Sequence, residues 1–210
     1  MFSALKNKKK IVIISSPRTG STPLLYDIHH YLEQNDNRLL LLNEPIVKPE
    51  KTNSNKITSG DIDIIICRQN FILKAHASDI KTLYSDFFNE KINTDEIAVV
   101  RIKRRQIVDQ CVSFYVSSHT NLWFNKGNNN LLLPTIKLPV VRTQMIDIFS
   151  DLTKFNTICD TIPCNLVLDV VYEDYTFLTN DVVKNQRIAN YEEIYNEFTL
   201  LADSFSNKIC

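Results

Sequence analysis

The sequence predicts an α/β fold: a central parallel β-sheet with helices on both faces. Three observations point there. β-Branched apolar runs alternate with amphipathic helical patterns along the whole chain. Several of the runs are continuously apolar, as expected of strands covered on both faces. Strand–helix alternation in turn requires parallel pairing through right-handed crossovers. A chain of 210 residues that is 44% apolar can bury a sizeable core, and the reading is one domain over 1–210.

Strands are expected at Lys10–Ser15, Arg38–Asn43, Ala98–Lys103 and Asn165–Tyr172, with Ile62–Cys67 and Phe71–Ala75 as two further strands or one strand and its approach. Helical spacing runs through Ser21–Gln34, Ser78–Lys91, Arg105–His119, Val140–Asp160 and Asn190–Asn207. Lys48–Gly60 and Asn121–Pro139 have no clear period and read as long loops, a type that often forms lids or binding segments.

Charge and cysteine usage narrow the function classes. Lys plus Arg number 24 and Asp plus Glu number 24, so the net charge is zero, which argues against a dedicated nucleic-acid coat. The basic start through Lys10 and the short apolar run Ile11–Ile14 imitate a signal peptide. The run is too short for one and has no small-residue cleavage site. No segment approaches the roughly 20 apolar residues that span a bilayer. The five cysteines include no CxxC pair, and the four histidines do not pair with them at zinc-ligand spacing. The expectation is a cytoplasmic protein with reduced thiols and no metal.

The first strand runs into Ser15-Ser16-Pro17-Arg18-Thr19-Gly20-Ser21-Thr22, followed by an amphipathic helix bearing Leu24, Leu25, Ile28 and Leu32. A strand, a tight Gly-containing turn and a helix start is a recipe for holding an anion. The first-turn N–H groups and the positive end of the helix dipole both favour negative charge. Ser21 and Thr22 add hydroxyl donors and Arg18 a guanidinium fork. The plainer reading is an ordinary helix capped by Ser21 or Thr22. The Walker pattern GxxxxGK[ST] is absent.

A second cluster follows the strand Ala98–Lys103. Arg105, Asp109 and Ser113 recur every four residues, a spacing that shares one helical face. A cation at a helix N-terminus opposes the dipole, and Arg before Asp is the poorer orientation for an i,i+4 pair. A broken local rule at a strand–helix junction suggests a functional demand such as an anion.

Together these motifs resemble the sulfotransferases that use 3′-phosphoadenosine-5′-phosphosulfate (PAPS). Pro17-Arg18-Thr19-Gly20-Ser21-Thr22 is similar to their 5′-phosphosulfate loop, Pro-[Lys/Arg]-[Ser/Thr]-Gly-[Ser/Thr]-[Ser/Thr]. Arg105 and Ser113 fall on the positions that hold the 3′-phosphate. Tyr172-Glu173-Asp174 resembles a segment whose Tyr lies near the adenine, and Arg187-Ile-Ala-Asn190-Tyr-Glu-Glu193 resembles an ending of carbohydrate and bacterial members. There Arg187 or Lys184 would reach the cofactor phosphates. The resemblance implies a P-loop NTPase-like fold, PAPS as donor with PAP as product, no metal, and a carbohydrate, lipid or small-molecule acceptor. The Gly-x-x-Gly-x-x-Lys segment of cytosolic members is missing.

Sulfuryl transfer to a hydroxyl requires proton removal, in-line attack and stabilisation of the leaving phosphate. Arg18 carries the last role over from the family's Lys or Arg. Two residues compete as base. His76 ends Lys74-Ala75-His76, which resembles the Lys-Thr-His of cytosolic members. Glu44, before Pro45, resembles the Glu-Pro of carbohydrate-type members. Imidazole exchanges protons near neutrality, whereas a carboxyl needs burial to do so. Tyr115, His119, Trp123 and Phe124 are candidate acceptor contacts. Three other readings stay open: a non-catalytic PAP-binding homologue, a P-loop kinase-like phosphotransferase, and a nucleic-acid module using Lys6–Lys10 and Arg101–Arg105.

Overall fold

The computed structural model describes residues 1–43, 69–78, 95–120, 135–176 and 188–206. The expected strand Ile62–Cys67, the loop Lys48–Gly60, the helix Ser78–Lys91 beyond its first residue, and most of the loop Asn121–Pro139 lie outside them. So do the candidates Glu44, Trp123, Phe124, Lys184 and Arg187. The chain groups into two compact units, Met1–Lys103 with Phe155–Phe177, and Arg104–Lys154 with Leu178–Cys210.

The first unit is built on a parallel sheet. Its strands are β1 (Lys10–Ser15), β2 (Leu40–Asn43), β3 (Phe71–His76), β4 (Ala98–Lys103) and β5 (Leu166–Val171). They lie in the order β2-β3-β1-β4-β5, every pair parallel. Helix α1 (Ser21–Gln34) follows β1, and α3 (Arg142–Thr161) leads into β5. A three-layer α/β architecture is therefore what the alternating pattern produces.

The sheet has two apolar faces, which explains the unbroken apolar runs. Alternate residues of a strand point to opposite sides. Ile11 and Ile13 of β1 and Ile72 of β3 pack with Leu24, Leu25, Ile28 and Leu32 of α1. Val12 and Ile14 of β1, with Leu73 and Ala75 of β3, cluster instead with Cys159 of α3. The basic start of the chain is folded onto the first of these faces. Phe2–Leu5 form a 3-10 turn whose Leu5 is buried in the α1-side core. The ring of Phe2 lies 5.7 Å from Tyr31 and 6.0 Å from Tyr175.

Ion pairing closes the far end of the sheet. Arg101 on β4 donates both arms of its guanidinium to Asp169 on β5 and lies 3.3 Å from Asp160 at the end of α3. Lys103 approaches the same two carboxylates at 3.6 and 3.7 Å. Desolvation works against the charged form of Asp169. The hydrogen bond and charge of Arg101, with Lys103, outweigh it and hold that carboxyl below its usual range. Such a group contributes stability above its ordinary pKa and loses it as the pH falls through the depressed one.

The second unit contains α2 (Ile107–Thr120), most of α3 and α4 (Tyr191–Ser206). Buried Tyr115 of α2 meets Phe198 of α4 edge-on at 5.9 Å. Its hydroxyl donates to Pro139 O at 2.6 Å and accepts from Val141 N at 3.2 Å. Tyr115 is thus a core residue and not an acceptor contact. Helix α2 starts at Ile107, later than the spacing predicts, and Arg105 sits in a bend before it. A cation in the first turn would oppose the helix dipole, and the helix begins after it.

Asn190 joins Leu138 to the start of α4. Its Oδ1 accepts from Leu138 N and its Nδ2 donates to Leu138 O, both at 3.0 Å, with a further donation to Glu193 at 3.2 Å. Among the described residues no helix is long and apolar enough to cross a membrane.

Replacing Asn190 with Ala should lower stability by about 2 kcal/mol, since the buried N–H and C=O of Leu138 both lose their partner. A shift of the urea midpoint without a change in slope would register this.

Candidate functional site

Parallel pairing brings the C-terminal ends of β1 and β3 side by side, with Ile13 opposite Lys74 and Ser15 opposite His76. The strand order reverses direction about β1: β3 and β2 lie to one side of it, β4 and β5 to the other. In open α/β sheets the crevice beyond such strand ends is where ligands bind.

The turn leaving β1 is conformationally unusual. Arg18 has φ 64° and Gly20 φ 77°. Glycine accepts that region freely, whereas an arginine there costs about 1–2 kcal/mol and signals a constraint. The turn is held from inside. Thr19 is buried and its hydroxyl donates to Ser16 O at 2.9 Å. The Ser16 hydroxyl donates to Asn156 Oδ1 on α3.

Helix α1 begins at Ser21 with Gly20 as its N-cap, and no side chain caps it. The expectation that Ser21 or Thr22 serves as an ordinary cap is therefore not met. Pro23 has no N–H, so the first-turn amides belong to Ser21 and Thr22 beside that of Gly20. These amides carry the positive end of the helix dipole without a neutralising side-chain oxygen.

The decisive side chain is Lys74. It interrupts the apolar strand Phe71–His76, is only 3% exposed, and its Nζ donates to Thr22 Oγ1 at 2.9 Å. Two residues on, His76 shares its sheet face, and its Nδ1 lies 3.3 Å from Ser15 Oγ. On the α1 side of the sheet, the column Ile72, Lys74, His76 thus passes from apolar core to cationic and titratable groups as it reaches the strand end. The column Ile11, Ile13, Ser15 of β1 does the same. An ammonium withdrawn from water favours a hydrogen-bonding or anionic partner, and here Thr22 of the adjacent helix start is one such partner.

The other candidates fall as follows. Tyr172 occupies a 3-10 turn, Tyr172–Asp174, directly after β5 and is half-buried. Tyr175, three residues later, donates its hydroxyl to the buried Asp27 of α1 at 2.8 Å, and burial together with Asp27 pushes its pKa up. In the second unit Arg105 is exposed and Ser113 half-buried. The charge of Asp109, between them, raises the pKa of the Tyr195 phenol on α4. His119 stacks against Tyr115, and its Nδ1 lies 2.9 Å from Tyr115 O. Burial pushes the Cys111 and Cys159 thiols up to about 12, which makes them structural and unreactive. Among the described residues no group of His, Cys, Asp and Glu is arranged to hold a metal ion.

Sequence reasoning missed Lys74 and Ser15 as site residues. A lysine within an otherwise apolar, two-sided strand is the signal that could have found the first. Ser15 needed the register of β1 with β3. Comparison of the chain with protein-family models, curated proteins and solved structures finds no match.

Inorganic sulfate should raise the thermal midpoint of the protein, and Lys74→Met should weaken that binding at least about tenfold, or 1.4 kcal/mol. Arg18→Gly should separate stability from binding. Relief of the left-handed backbone and the added unfolded-chain entropy oppose each other, leaving stability within about 1 kcal/mol of wild type. Sulfate affinity should fall in the same variant.

Proposed function

We propose that the chain is a sulfotransferase that takes PAPS as donor, transfers its sulfuryl group to the hydroxyl of a carbohydrate, lipid or small-molecule acceptor, and releases PAP. The observation that carries this reading is the buried Lys74 ammonium bonded to Thr22, beside an uncapped helix start and a strained Arg18 turn. Three kinds of positive group lie close together in the register and the chain, and support an anion here: dipole-bearing amides, the Arg18 guanidinium and the Lys74 ammonium. The resemblance of Pro17-Arg18-Thr19-Gly20-Ser21-Thr22 to the sulfotransferase loop is what suggests the identity of the anion, a 5′-phosphosulfate.

The chemistry follows from those groups. The acceptor oxygen attacks sulfur in line, the bond from sulfur to the bridging phosphate oxygen breaks, and negative charge grows on the departing phosphate. In this scheme Arg18, Lys74 and the Gly20–Thr22 amides are the groups that stabilise that charge, more in the transition state than before it. The acceptor's proton must leave, and the sequence offers His76 and Glu44 to remove it. Arg105 and Ser113 take the 3′-phosphate on the strength of their motif, with Tyr172 toward the adenine and Arg187 toward the phosphates. The scheme uses no metal. The strand order with β1 central, and the loop from β1 into α1, support the P-loop NTPase-like type of this α/β fold. The reading places the enzyme in the cytoplasm, where its buried thiols stay reduced.

The competitors are weaker on particular grounds. A kinase-like phosphotransferase would call for a Walker lysine, which the loop lacks. A nucleic-acid module would draw on Arg101 and Lys103, and both are engaged with Asp160 and Asp169. A PAP-binding homologue without transfer differs only in turnover.

PAP should raise the thermal midpoint more than AMP, ATP or sulfate at equal concentration, because only PAP engages both phosphate motifs. Equal shifts for PAP and AMP would remove the 3′-phosphate assignment, and no shift with any nucleotide would remove the function. At saturating PAPS, His76→Ala and Glu44→Ala should differ in turnover, the larger loss marking the residue that handles the acceptor proton.

A further inference from the structure

Among the described residues two charged side chains are buried, Lys74 and Asp27, and the proposed reaction uses only the first. Asp27 lies on α1 among Leu24, Leu25 and Ile28, which pack on the sheet. Aspartate is a poor residue for a helix interior, and a buried carboxyl group is costly unless polar partners meet it. An apolar side chain would suit this core better. A buried polar pair can instead serve by fixing one packing arrangement over its alternatives.

A partner of Asp27 shows which arrangement is fixed. Tyr175 donates its hydroxyl to Asp27 Oδ2 at 2.8 Å, and its ring packs on the same α1-side core, 6.0 Å from Phe2. The Tyr175 N–H donates to Tyr172 O at 3.3 Å, which closes the turn Tyr172–Asp174. That turn leaves the sheet beside the anion loop. Ser15 of β1 is level with Ile102 of β4, and Ile102 with Val170 of β5. Tyr172 therefore follows β5 one residue beyond the level of Ser16. With β4 between them, the two exits are two strand spacings apart, about 10 Å. A nucleotide can span that gap, whereas a bare sulfate cannot.

We infer that Tyr175 is a positioning residue: through its bond to Asp27 it holds the turn Tyr172–Asp174 against α1, at a set distance from the helix start that takes the anion. Helix α1 then carries both ends of one ligand site. Its first turn faces the phosphate, and its second turn anchors the segment that meets the nucleoside. The placement of the turn stands on the structure alone, and its consequence for a ligand rests on the proposed nucleotide donor.

Two measurements on the full-length protein test this. Amide hydrogen exchange without ligand should find the Tyr175 N–H protected in wild type and exchanging at least about tenfold faster in Tyr175→Phe, with the amides of Phe71–His76 unchanged. Calorimetric titration should find PAP bound at least about fivefold more weakly by Tyr175→Phe, while inorganic sulfate stays within about twofold of wild type. A variant that merely loosened the fold would weaken both ligands together. An unprotected Tyr175 amide in wild type, exchange indifferent to Tyr175→Phe, unchanged PAP affinity, or equal losses of PAP and sulfate overturns the inference. Should Tyr175→Phe fail to fold, slow exchange of the wild-type Tyr175 amide and hydroxyl protons supports the placement and rapid exchange overturns it. Absence of PAP binding in wild type would sink the donor reading and leave the exchange result standing, so the two failures are distinguishable.

Discussion

The site hangs on a lysine buried in a β-strand. Withdrawing an ammonium from water is expensive unless something nearby stabilises the charge. Lys74 is tolerated because its strand lies beside β1, in a register that brings it to the first turn of α1 and the Thr22 hydroxyl. The parallel pairing thus does two things at once. It completes the apolar core through Ile72 and Leu73, and it places a charge at the point where that core ends. A one-residue slip of β3 would turn Lys74 to the opposite face, among Val12, Ile14 and Cys159, where the core is wholly apolar.

The turn after β1 is the complementary half of that arrangement. A left-handed arginine is unfavourable in isolation and persists only when its surroundings over-determine it. Here the surroundings are Thr19, bonded back to Ser16, and Ser16, bonded across to Asn156. Both anchors are buried side chains next to a strand paired on both sides. The strain is therefore held by the most rigid part of the first unit, which is the condition for a preorganised binding loop.

The described strands were legible from sequence nearly to the residue, because unbroken apolar runs bounded by polar turns have few alternative meanings. Lys10–Ser15 and Ala98–Lys103 are observed as expected, and Ser21–Gln34 is helical throughout. The start of α2 was misplaced. Four-residue spacing cannot distinguish a residue in a helix from one just before it, and Arg105 falls outside. The site was legible only in part. Arg18 to Thr22 are contiguous and announce themselves through turn chemistry. Lys74 and Ser15 acquire meaning only when two strands separated by more than fifty residues of chain are laid in register, which no local pattern reveals.

The two kinds of motif in this chain differ in what the structure makes of them, and the difference bears on how far each supports a nucleotide. Asn190-Tyr191-Glu192-Glu193 resembles an ending found in sulfotransferases, yet its Asn and Glu meet each other and Leu138 at the start of α4. That use ties the Leu138 backbone to the start of α4 and is structural. Pro17–Thr22 goes the other way. It contains residues able to cap α1 and does not use them for it, and it sets an arginine directly after Pro17 at φ 64°, a region that favours glycine. That loop leaves its helix start uncapped by any side chain, next to the buried Lys74. Arg105 and Ser113 lie between these cases: their spacing resembles a phosphate site, while the charge of Asp109 between them acts on the phenol of Tyr195. The weight of the functional reading therefore belongs on the β1–α1 turn and Lys74, where the helix dipole and a buried ammonium favour the same charge.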